Sequence, residues 1–214
     1  MDRINNGRVV HPYITARVYG NAQTTNGRIN NAVRLDGRSQ YIDIGDQSDT
    51  CLGDMQKCRH GYTGSMYLNI KDFRDNDYYL STGTGMNIYY QNGKTNFVVY
   101  DKENQRRWIV EVPGLRRGQW YNLQYTWHKD RGLRVYLDNK LVGRSDAQPF
   151  YDFPRGRSDV LIGRANPNAV PYGRNNYANA EVDNFEVWYL DRDDLISRGI
   201  IQTPGELYNN SGLF

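Results

Sequence analysis

The chain has 214 residues, enough for one large β domain without a second. Its net charge, 27 basic against 24 acidic residues, is only +3. That is too mild for a nucleic-acid footprint, and no apolar run reaches the roughly 18 residues that cross a membrane as a helix. Hydrophobic residues make up 38% of the chain, which predicts a thin core with many of the 18 Tyr covering its rim.

No leader-like segment opens the chain, and Met1-Asp2-Arg3 reads as the start of an excised domain. Residues 1–12 carry no pattern and read as an N-terminal extension. Tyr13 to Tyr19 reads as a first strand, followed by a loop of turn formers, GNAQTTNG. From Asn31 to Asp46, NAVRLDGRSQYIDIGD, apolar and polar residues alternate on both sides of Asp36-Gly37. That pattern predicts an antiparallel hairpin whose inward row needs a second sheet as cover. Cys51 and Cys58 sit in the polar loop that follows, with His60 the only further metal ligand close by. Their spacing favours a local disulfide over a metal site, and with it secretion.

Tyr62 to Ile70 reads as a strand with Met66, Leu68 and Ile70 on one face, and Lys71 to Asp77 as a charged connection. Short strands follow over Tyr78–Ser81, Asn87–Tyr90 and Phe97–Asp101, then one over Arg107 to Val112 that Pro113-Gly114 ends. Trp120–His128, Leu133–Leu137 and Leu141–Arg144 read as a meander. After a loop rich in Pro and Arg come a short strand, Val160–Gly163, loop chemistry over 164–179, and a last long strand, Glu181 to Tyr189. Only Asp191 to Gly199 predicts a helix, with Asp191 as cap and Gly199 as stop. Residues 200–214 read as a tail carrying the one glycosylation sequon, at Asn209. About a dozen short strands without helical crossovers predict an all-β antiparallel sandwich or jelly roll.

Four stretches carry a family resemblance: GRINNAVRLDGRSQYIDIGD, CLGDMQKCRHGYTGSMYLNI, GQWYNLQYTWHKDRGLRVYLDNKLV and ANAEVDNFEVWYLDRDDLISRG. In order and spacing they resemble the laminin-G-like, concanavalin A-like lectin/glucanase superfamily, close to its pentraxin-like branch. The likeness spans roughly residues 13–199 and implies one β-sandwich domain over that range. It also implies that Cys51 and Cys58 pair. Where related sequences read as an apolar FTxSFW, this chain has Tyr62-Thr-Gly-Ser-Met-Tyr67, which implies a looser core there. Fold does not imply function, because this fold hosts lectins, adhesion modules, matrix proteins and hydrolases.

Glu181-Val-Asp183-Asn-Phe-Glu186 resembles the E-x-D-x-x-E motif of laminarinase-type glycosidases, in which the two Glu act as nucleophile and general acid. On a plain strand residues five apart face opposite ways, so the pair can meet only across a bulge. In laminin-G-like domains the same strand is structural, and the expectation is a protein that is not an enzyme. Calcium is a weak second expectation, with Asp36 and Asp183 as the ligands to test.

The third feature is charge on loops. Arg outnumbers Lys 21 to 6, and Arg is the planar, bidentate partner of oxyanions. Arg106, Arg107, Arg116, Arg117, Arg155, Arg157, Arg164 and Arg174 stand beside Asp72, Asp75 and Asp77, with Asp191, Asp193 and Asp194 further on. Solvated faces usually explain such runs. Clustered, they would suit an acidic matrix polymer or a mineral surface such as calcium carbonate. The resemblance supports this setting, since domains of this branch occur in adhesion receptors and in mollusc shell-matrix proteins of the Pif type. The alternative is a lectin-like or adhesion module binding a glycan or an extracellular protein, with Tyr78, Tyr79, Tyr89, Tyr90, Tyr172 and Tyr177 as candidate stacking rings. One continuous Arg/Asp patch would support the first reading, and a Tyr-lined groove the second.

Overall fold

The computed structural model describes residues 2–5, 8–10, 16–83, 85–153, 158–167, 169 and 176–201. Among these, the strands are β1 (Asp2–Asn5), β2 (Arg8–Val10), β3 (Arg17–Tyr19), β4 (Gln23–Asn26), β5 (Asn31–Asp36), β6 (Tyr41–Asp46), β7 (Tyr62–Ile70), β8 (Tyr78–Ser81) and β9 (Met86–Gln91). They continue with β10 (Lys94–Asp101), β11 (Arg106–Pro113), β12 (Trp120–His128), β13 (Gly132–Leu137), β14 (Lys140–Ser145), β15 (Gln148–Pro149), β16 (Asp159–Ile162) and β17 (Asn179–Trp188). A helix, α1 (Arg192–Ser197), follows the last strand.

The strands form two antiparallel sheets. One runs β14-β13-β12-β7-β17-β1-β2, with β5 and β4 added on the flank of β17; the other runs β15-β11-β10-β9-β8-β16-β6-β3. The first half of β17 pairs with β5 and its second half with β1, at Glu186 and Val187. A bulge between Asp183 and Glu186 separates the two halves, with Asn184 at φ 48°. The chain before residue 13, which has no readable pattern, thus supplies two strands, β1 paired on both sides and β2 at the edge.

The stretch expected as a hairpin is not one. β5 belongs to the first sheet and β6 to the second, so the two strands face each other across the core instead of pairing. The corner between them is built by the Asp36 carboxylate, whose Oδ1 accepts the backbone N–H groups of Arg38 (2.8 Å), Ser39 (3.0 Å) and Gln40 (3.2 Å). Val33 and Leu35 from one sheet and Ile42 and Ile44 from the other all lie in the same core. Alternation fits both arrangements, because it states which face is apolar and not which strand lies alongside.

The meander β12-β13-β14, the three short strands and the capped helix stand as expected. GNAQTTNG, read as a loop, contains β4, an exposed edge strand. Cys51 and Cys58 form a disulfide that closes the loop around buried Leu52 and Met55.

Tyr is part of the core and not only its rim. Tyr62, Tyr78, Tyr79 and Tyr125 are among the largest fully buried side chains. Trp108 of one sheet meets Trp127 of the other edge-on, with ring centroids 5.2 Å apart. The strand that departs from the family's apolar pattern is not loosely packed either. Tyr62, Met66 and Ile70 are each 0% exposed, and Gly64 leaves room for the Tyr125 ring to lie against its backbone. A smaller cluster of Tyr78, Tyr89, Val98, Tyr100, Ala165 and Ala169 covers part of the outer face of the second sheet.

Candidate functional site

On β6 the inward row is Ile42 and Ile44, which leaves Tyr41 and Asp43 on the outer face of the second sheet. The flanking strands continue that face: Tyr19 lies opposite Tyr41 and Arg17 opposite Asp43 on β3, while Leu161 lies opposite Asp43 and Asp159 opposite Asp46 on β16. The rings of Tyr19 and Tyr41 stack at 4.7 Å and are 3° from parallel. After β16, Gly163 turns the chain with φ 83°, a conformation most side chains resist. It thereby delivers Arg164, whose guanidinium lies 4.9 Å from the centroid of Tyr41 and 5.3 Å from that of Tyr177. Tyr41 and Arg164 line a hollow of about 500 Å³, to which Arg17, Asp43, Asp46 and Asp159 bring further charges.

A second hollow of about 380 Å³ is lined by Tyr177 together with Gly37, Arg38, Arg74, Asp75 and Asp77. Arg74 organises it. Its Nε donates to Asp77 Oδ2 at 3.1 Å, and its Nη2 donates to the carbonyls of Gly37 (2.9 Å) and Tyr177. One side chain thus ties the β5–β6 corner to the backbone of Tyr177. Asp77 is buried, which lifts its carboxyl from 3.8 to about 6 against the pull of Arg74.

The other charged residues do not join this site. Asp72 pairs with Arg117 at 2.8 Å, and Arg116 donates its backbone N–H to the Tyr121 hydroxyl. Arg106 and Arg107 lie at the far edge of the second sheet beside β15, where Arg107 stacks over Phe150. Arg155, Arg157, Arg174 and Tyr172 lie outside the described residues. Among the described residues, then, the Arg and Asp side chains make separate groups and not one continuous patch. The densest of these groups is structural: Arg131 and Arg134 grip the fully buried Asp191, tying α1 to β13. Of the six candidate rings, Tyr78, Tyr79 and Tyr89 are core, Tyr90 packs on Phe73, and Tyr177 lines the second hollow.

A family model described as the concanavalin A-like lectin/glucanases superfamily, of laminin G type, matches residues 36–193, well over half of the chain. The chain belongs to this superfamily. No curated protein matches its sequence. Solved structures agree on the fold. The receptor-binding domain of botulinum neurotoxin C/D mosaic serotype superposes with a TM-score of 0.63 at 10% identity, covering 92% of this chain and 50% of that one. The binding domain of botulinum neurotoxin DC, in complex with rat synaptotagmin II, gives 0.63 at 13% identity, covering 91% and 49%. A type C neurotoxin structure, described through its interaction with two ganglioside molecules, gives 0.63 at 11% identity, covering 94% and 51%. The chain spans about half the length of these structures.

Because the superfamily includes glucanases, the geometry of Glu181, Asp183 and Glu186 matters. The bulge in β17 puts all three on one face: their partners on β7 are Asn69, Tyr67 and Ser65, which alternate by two. The oxygens of Glu181 are already engaged, by Lys71 Nζ (2.6 Å), Arg34 Nη1 (3.4 Å) and Asn69 Nδ2 (3.0 Å). Asp183 Oδ2 accepts the backbone N–H of Ile29 at 2.7 Å, under the turn at Gly27. The two carboxylates proposed for calcium do not share a site. Asp36 lies opposite Asn179, four residues from Asp183 on β17, about 13 Å along the strand. Each serves a local turn, and among the described residues no group of three or more acidic, His or Cys side chains is placed to hold a metal ion.

The sequence reading missed Tyr19, Tyr41, Arg17, Asp43, Asp46 and Asp159. The signal for two of them was present: alternation that turns Ile42 and Ile44 inward turns Tyr41 and Asp43 outward, an aromatic and an acid on an exposed face.

Proposed function

We propose that this chain is a non-enzymatic, extracellular binding module that recognises a glycan in the hollow lined by Tyr41 and Arg164, beside the Tyr177 ring. The observation that carries this reading is one concave surface lined by the Tyr41 ring, guanidinium groups and carboxylates, with the Tyr19 and Tyr177 rings packed beside Tyr41 and Arg164. Rings cover the apolar faces of a sugar, carboxylates accept from its hydroxyl groups, and guanidinium groups donate to its oxygens. The intramolecular disulfide supports an oxidising, extracellular setting. Among similar folds, the type C neurotoxin structure is described by its interaction with gangliosides, a glycan-bearing ligand class, which supports the same direction.

The test is a glycan array probed with the wild-type chain and with Tyr41→Ala. The expected result is binding to a subset of glycans, weakened about tenfold by the substitution, as for the loss of one stacking surface. Absence of binding by the wild type to every glycan, or equal binding by the two proteins, would overturn the reading. Hydrolysis of β-glucan by the wild type that Glu186→Gln abolishes would replace it with an enzymatic one.

A further inference from the structure

We infer that the ligand is an uncharged, linear oligosaccharide that lies across Tyr177 and occupies both hollows at once. This rests on the glycan reading and adds two properties to it, charge and length.

Charge follows from the lining. The first hollow presents Arg17 and Arg164 with Asp43, Asp46 and Asp159; the second presents Arg38 and Arg74 with Asp75 and Asp77. Among the described residues four cations thus stand among five carboxylates, interleaved rather than segregated. In the first hollow the acids are close neighbours, since Asp159 and Asp46 are direct cross-strand partners. A sulfated or carboxylated glycan entering there meets these acids, and like-charge contact in a partly desolvated site is costly. A cationic polymer meets the guanidinium groups in the same way. A neutral sugar meets no such opposition, because each hydroxyl is both donor and acceptor and can serve either charge. The chain's excess of Arg is therefore misleading here, since among the described lining residues acids are in the majority.

Length follows from the adjacency of the two hollows. Volumes of about 500 and 380 Å³ are each within the ordinary range of a small-ligand site. Tyr177 lines the second, and its ring lies 6.0 Å from that of Tyr41, which lines the first. Arg164 on one side and the Arg74 clamp on the other hold Tyr177 between them, through its ring and its carbonyl. A single sugar fills one hollow, whereas a chain can pass over the ring and use the second set of donors and acceptors. Arg38 is the exposed member of the second set.

The experiment is calorimetric titration of the full chain with neutral chito-, cello- and laminari-oligosaccharides, from disaccharide to pentasaccharide. Heparin-derived and polygalacturonate oligomers of the same lengths are the acidic probes, each measured at low and high salt. The expected result is binding of a neutral series with little salt dependence, and affinity at least tenfold higher for the pentasaccharide than for the disaccharide. Arg38→Ala is expected to flatten that rise while leaving the melting temperature unchanged. Binding of the acidic oligomers alone, with affinity falling as salt rises, would overturn the inference and leave the glycan reading intact. A disaccharide bound as tightly as a pentasaccharide, or an unaltered length dependence in Arg38→Ala, would do the same. Binding of no oligosaccharide from either set, together with a blank glycan array, would overturn both.

Discussion

Arg74 Nε donates to Asp77 Oδ2 at 3.1 Å, with the Asp77 side chain only 3% exposed and that of Arg74 47% exposed. The pair stands in the wall of the second hollow, with Asp72 and Asp75 nearby in sequence and Arg38 across the hollow. Burial is the largest influence on Asp77 and raises its carboxyl from 3.8 to about 6; Arg74 opposes the rise and Asp72 adds to it. A carboxyl with a higher value folded than unfolded holds its proton more tightly in the folded protein. Its contribution to stability is therefore complete below the unfolded value and is lost as pH climbs through the folded one. Wild type and Asp77→Asn, unfolded by denaturant at several pH values, are expected to diverge: the stability of the wild type relative to the variant falls as pH rises from 3.8 to about 6. Parallel pH profiles would show that Asp77 does not titrate in this window.

Asp191 holds two cations and a helix end at once. It accepts from Arg134 Nη2 at 2.7 Å and Arg131 Nη1 at 3.2 Å, and its Oδ1 accepts the Asp193 N–H at 2.8 Å. Asp191→Ala removes the cap and leaves the largely buried Arg134 without that partner. The expected loss is about 3 kcal/mol of unfolding free energy, measured by denaturant titration. A loss under about 1 kcal/mol would mean that Asp193 alone satisfies both guanidinium groups.

At Gly64 the backbone runs close against the Tyr125 ring. A Cβ there would overlap the Tyr125 ring, and the backbone of Gly64 lies on the central strand β7, which cannot withdraw. Gly64→Ala is expected to destabilise the fold by about 1–3 kcal/mol through overpacking. The double variant Gly64→Ala, Tyr125→Leu should recover part of that loss, and a double variant no better than the single would point to backbone strain as the cause.

The Cys51–Cys58 bond closes a short loop whose Leu52 and Met55 are buried. Replacing both cysteines by Ser is expected to cost about 2.5 kcal/mol on chain entropy alone. The melting temperature should fall, and reducing agent should lower that of the wild type while leaving the variant unmoved. Equal sensitivity of the two proteins to reductant would contradict this.

Much of the fold is legible in the sequence because its signals are local. Alternation marks β7, β12 and β17, the Pro113-Gly114 and Asn92-Gly93 pairs mark the turns, Asp191 marks the helix start, and the cysteine spacing marks the disulfide. What alternation cannot state is the identity of the neighbouring strand. For that reason Asn31–Asp46 reads as a hairpin and is an arch between two sheets. The same limit hides the candidate site. Tyr41, Arg164 and Tyr177 are far apart in sequence, and they meet only because β16 pairs with β6 and Gly163 turns the chain back over it. Likewise, whether Glu181 and Glu186 share a face depended on one extra residue in β17, visible only against its partner β7. Period-two patterning tells each strand which side faces the core; cross-strand register and the turns between sheets decide which outward side chains come together.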